Sequence, residues 1–81
     1  MDTNELKHRL GHILAVEEDD GDVDWLWVEG QSNALLGELR MPIPLIVNEY
    51  LRGCDRRRQD TVFGHAQRGE LLIYLRGSRP A

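Results

Sequence analysis

Arg56, Arg57 and Arg58 form an unbroken cationic run, with Arg52 one helical turn before it and Arg68 further along the chain. Guanidinium groups in this density neutralise phosphates or pair with carboxylates. Other reactive side chains are sparse. His8 and His12 have the i, i+4 spacing of a metal pair on one helix face, but no third ligand stands near them, so they read as solvated histidines. Cys54 lies close to Arg52 and Arg56, which would lower its thiol pKa, yet no histidine accompanies it as a base. The acidic run Glu17-Glu18-Asp19-Asp20-Gly21-Asp22-Val23-Asp24 lacks the ligand spacing of a calcium loop. There is no glycine-rich phosphate loop, GxSxG elbow, CxxC or HExxH. The expectation is a binding protein without enzymatic activity, metal or cofactor.

The charge is segregated along the chain. Through Glu38 there are ten acidic residues against Lys7 and Arg9, and from Leu39 onward four acidic residues against eight arginines. The two portions carry −8 and +4, and the net charge of −4 conceals a basic C-terminal portion able to meet a polyanion or an acidic partner. Eighty-one residues with an apolar fraction of 41% make one domain with a single modest core, needing neither metal nor disulfide. One cysteine cannot form an internal disulfide, which fits a reducing compartment. No apolar run reaches the ~20 residues that span a bilayer, and the first residues are acidic where a signal peptide is basic and then apolar. These features predict a cytoplasmic protein with no membrane contact.

The elements that must position these residues follow from periodicity. Leu6, Leu10, Ile13 and Leu14 form one apolar stripe and predict a helix over 3–16, capped by Thr3 or Asn4. The acidic loop 17–24 follows. Val23 to Val28, with Trp25 and Trp27, reads as a short buried strand. Residues 31–41 favour a helix, since Ala34 to Arg40 lacks β-branched and aromatic residues and Ser32 or Asn33 can cap it. Pro42 and Pro44 end that helix, and Pro44 can open the next, which runs over about 43–55 and carries Ile46, Val47, Tyr50 and Leu51 inward. Residues 61–65 and 70–75 read as a β-hairpin turning at Gln67-Arg68-Gly69. A frayed tail occupies 77–81.

Helix, strand, helix, tight turn, helix and hairpin is an order that resembles the winged helix-turn-helix domain. Leu35-Leu36-Gly37-Glu38-Leu39, the break at Met41-Pro42-Ile43-Pro44, and Ile46 or Val47 with Tyr50-Leu51-Arg52 are similar to the paired helices of small bacterial regulators. The resemblance implies an α+β fold and a DNA-binding transcriptional regulator, with DNA as partner and a possible homodimer. Asn48 and Arg52 would then face the bases, while Arg56, Arg57, Arg58 and the wing residue Arg68 would hold phosphates. The proline-rich, apolar start of that second helix and the mid-face Glu49 suit a protein contact as well. The alternative is therefore a protein-protein interaction module, inhibitor or accessory protein, using Glu17, Glu18, Asp19 and Asp20 or the corner at Ile43 and Leu45. Were 31–41 a strand, the architecture would become αββαββ with a four-stranded antiparallel sheet. Leu39 to Leu45 is also similar to the Leu-Arg-Cys-Pro-x-Pro segment of small sulfur-carrier proteins, but Met41 replaces the cysteine that would carry sulfur.

Overall fold

Three aspartates start three helices. A carboxylate one residue ahead of a helix can accept from a backbone N–H in the first turn that has no partner within the helix. Asp2 accepts from Glu5 at 2.8 Å, Asp24 from Trp27 at 3.1 Å and Asp60 from Phe63 at 3.1 Å. The computed structural model describes residues 2–18, 22–39 and 42–77. Over these it contains α1 (Thr3–Glu17), α2 (Trp25–Glu38), α3 (Leu45–Arg52), α4 (Cys54–Gln59) and α5 (Thr61–Leu75), and no strand among the described residues.

The winged helix-turn-helix expectation is overturned at two places. A wing requires a β-hairpin, but residues 61–75 are the single helix α5, capped by Asp60. The strand expected at Val23 to Val28 is instead a short lead-in and the first turn of α2, capped by Asp24. Aromatic and β-branched residues favour strands only weakly, and packing overrides that preference. In α2, Val28, Ser32 and Leu35 recur at helical spacing and are all buried. The αββαββ alternative fails for the same reason, and the fold is all-α rather than α+β. The helices expected at 3–16 and over the described part of 31–41 are present, the latter as the second half of a longer helix. Pro44 stands at the N-cap of α3 and its carbonyl accepts from Val47 and Asn48.

All five helices contribute to one apolar cluster. Leu6, Leu10, Ile13 and Leu14 of α1 meet Val28 and Leu35 of α2, Val47, Tyr50 and Leu51 of α3, Cys54 of α4 and Leu71 of α5. α5 packs on α1, α3 and α4, and α2 packs on α1, α3 and α4. The molecule is a slab of 32 × 31 × 17 Å, thinner than two full helix diameters of about 10–12 Å. Gly53 joins α3 to α4 because nothing larger fits: a Cβ there would lie 2.5 Å from Gln67 Oε1 and 3.0 Å from the Glu49 carbonyl. Among the described residues no helix is long and apolar enough to cross a membrane.

Candidate functional site

The arginine run separates in three directions. Arg57 turns into the core, where its side chain and that of Glu17 are fully inaccessible. Its Nε donates to Glu17 Oε1 and its Nη2 to Glu17 Oε2, each at 2.8 Å. Its Nη1 donates to the Tyr50 carbonyl and, at 2.7 Å, to Gln67 Oε1. The Tyr50 hydroxyl donates to Glu17 Oε2 at 2.6 Å, and Arg68 Nη1 reaches Glu17 Oε1 at 3.2 Å. The Arg57 guanidinium also lies 3.8 Å over the Tyr50 ring. A buried ion pair is tolerated only when its remaining donors and acceptors are satisfied, and here each Glu17 oxygen accepts two hydrogen bonds. Burial, reinforced by the neighbouring carboxylate, drives the Tyr50 hydroxyl pKa far above the ordinary tyrosine value. With its acceptor sites filled, Glu17 has no lone pair left for a substrate.

The other residues expected to hold DNA do not share a face. Asn48, Arg52 and Arg56 line one groove together with Glu49 and Glu70. There Arg52 Nε donates to Asn48 Oδ1 at 3.0 Å, and Arg56 stacks 4.2 Å over the Phe63 ring. Arg58 and Arg68 line a different cleft with His65 and Trp25, and the buried Arg57 and Glu17 belong to the same lining. The residues expected to meet a protein are divided too. Glu17 is buried, Glu18 is exposed, and Asp19 and Asp20 lie outside the described residues. Ile43 packs against the core, while Leu45 is 71% exposed.

His12 rests edge-on against the Trp27 ring, with centroids 5.3 Å apart. No group of three metal-ligating side chains occurs among the described residues. Burial pushes the Cys54 thiol pKa up, outweighing the lowering effect of Arg57. This is opposite to the direction its arginine neighbours suggest in sequence.

The groove with the strongest chemical character is one the sequence does not display. It is a cavity of about 570 Å³ at the start of α2, lined by Trp25, Leu26 and the carboxylate-bearing Asp22, Asp24, Glu29 and Asp55. Leu26 is 81% exposed, the most exposed of the large apolar side chains described. Asp22, Asp24 and Glu29 are local to the α2 start, and Asp55 joins them because α4 packs on α2. Comparison with protein-family models, with curated proteins and with solved structures gives no match to this chain.

Proposed function

We propose that this chain is a small protein-interaction module whose acidic groove at the start of α2 takes a basic, partly apolar segment of a partner protein. The observation that carries this reading is Leu26, 81% exposed beside half-buried Trp25 in a groove lined by four carboxylates and the single cation Arg58. An apolar centre with a charged rim is the anatomy of a protein interface. The carboxylates favour a basic partner and repel nucleic acid. A DNA-binding role divides its residues between two grooves, Asn48, Arg52 and Arg56 with Glu49 and Glu70 in one, and Arg57, Arg58 and Arg68 with Glu17 and Glu18 in the other. A binding role without catalysis and a cytoplasmic location belong to the same reading, the latter supported by the unpaired Cys54.

Fluorescence polarisation with defined peptides tests the proposal. A labelled peptide with lysines around leucine should bind the full-length chain. An equally charged peptide lacking the leucine should bind more weakly, and a glutamate counterpart should not bind. Leu26→Ala and Asp22→Lys should each weaken the first peptide severalfold without lowering the thermal midpoint. Retention on heparin and a salt-sensitive shift of duplex DNA, with no peptide binding, would restore the nucleic-acid reading and remove this one.

A further inference from the structure

We infer that the smaller cavity adjoining the acidic groove is a pocket for one lysine side chain of the partner. The inference rests on the reading of the groove as a protein-binding surface and specifies what enters it. Beside the groove lies a second, open cavity of about 240 Å³, and Glu29, Cys54 and Asp55 line both. Its wall includes Ser32, which is 1% exposed and whose hydroxyl has no hydrogen-bond partner among the described residues. A buried hydroxyl without a partner is unfavourable, and alanine at this interior position of α2 would also be a better helix former. The folded monomer therefore gains nothing from Ser32 Oγ. A donor arriving from outside would satisfy it.

The lining selects that donor. Glu29 and Asp55 supply carboxylates, and Ser32 supplies a neutral acceptor. Half-buried Leu36, beside the buried Leu51 and Cys54, supplies a small apolar contact, and Asn33 adds an amide. A lysine matches this set: its four-carbon stem packs on that apolar contact, and its ammonium carries three rotatable donors for three separate acceptors. Arginine matches less well, because its rigid planar fork suits a single carboxylate approached side by side. Arg52, the one cation on this lining, is exposed and tied through its Nε to Asn48. Its Nε is thus engaged, and neither Glu29 nor Asp55 forms a salt bridge among the described residues.

The test uses the full chain and three labelled peptides identical except for carrying lysine, arginine or acetyl-lysine. The lysine peptide should bind tightest, and acetylation, which keeps the stem and removes the charge, should weaken it roughly tenfold or more. Ser32→Ala should hold or raise the thermal midpoint while weakening the lysine peptide about ten- to a hundredfold, the scale of one hydrogen bond to a charged group. Glu29→Gln, on an exposed side chain, should weaken the lysine peptide and leave acetyl-lysine binding unchanged. Equal affinity for the three peptides, a preference for arginine, or unchanged lysine affinity in Ser32→Ala would each overturn the pocket. The groove fails separately: Leu26→Ala weakening binding while Ser32→Ala does not leaves the groove without its lysine pocket. The converse result removes the groove and retains the pocket.

Discussion

Arg57 stands between two arginines with which it shares nothing but residue type. Arg56 and Arg58 are exposed, whereas Arg57 satisfies the buried Glu17 and links α1, α3 and α5 through Glu17, Tyr50 and Gln67. Removing one partner of a buried pair leaves an uncompensated charge, so Arg57→Ala should cost about 3–5 kcal/mol. Arg56→Ala and Arg58→Ala should each stay within about 1 kcal/mol, even with the loss of Arg56 stacking on Phe63. Urea unfolding midpoints of the three variants check this, and equal effects would contradict the buried assignment. Tyr50 adds a pH dependence. Its hydroxyl stays protonated in the fold well above the ordinary tyrosine range, near about 10 in an unfolded chain. Above that pH the unfolded state releases a proton that the folded state keeps, so stability falls as pH rises and is fully present below it. The raised Cys54 thiol acts with the same sign from a lower pH. Tyr50→Phe should reduce the alkaline slope of stability measured by denaturant unfolding. It should also be less stable at neutral pH, because it loses the bond to Glu17.

At the scale of elements, legibility depended on what each helix buries. α1 could be read because its inward positions are leucine and isoleucine at helical spacing. α5 could not, because its buried residues are Gly64, Gln67 and Leu71, and two of these three carry no apolar signal. Their types follow from the packing. Gln67 accepts from Arg57, and a Cβ at Gly64 would crowd the Arg68 guanidinium at 3.0 Å. A helix that packs on a charged side chain leaves no apolar period to detect. The start of α2 was hidden differently, since Trp25, Trp27 and Val28 imitate a strand until the pattern is continued to Ser32 and Leu35. A signal was present in both cases, in Asp24 and Asp60 as caps three residues ahead of Trp27 and Phe63. The grouping of Asn48, Arg52 and Arg56 was visible because they are near neighbours in sequence. The Glu17–Arg57 pair joins residues 40 apart, and no local pattern announces it.

For the whole molecule, the fold redistributes a charge division that looked like two halves. Glu17 draws Arg57 out of the basic surface, Arg9 ties α1 to α2 through Glu38 at 2.9 Å, and Asp55 crosses from the basic portion to join the acidic groove. Four carboxylates then share one groove whose lining holds the single cation Arg58. Two of them have local work: Asp24 caps α2, and Asp55 sits in the first turn of α4, where a negative charge is favoured. Asp22 and Glu29 have no such role, and their repulsion is an expense to the free protein that only a basic partner offsets. Asp22→Asn with Glu29→Gln should therefore stabilise the unbound chain by about 0.3–0.5 kcal/mol, a rise of roughly 1–4 °C in thermal midpoint. Added salt should raise the wild-type midpoint by screening the same repulsion, and raise that of the double variant less. The double variant should bind the lysine peptide severalfold more weakly despite being more stable. A lower midpoint for the double variant would mean that these carboxylates hold the fold together, and the groove would lose its standing as a surface kept for a partner.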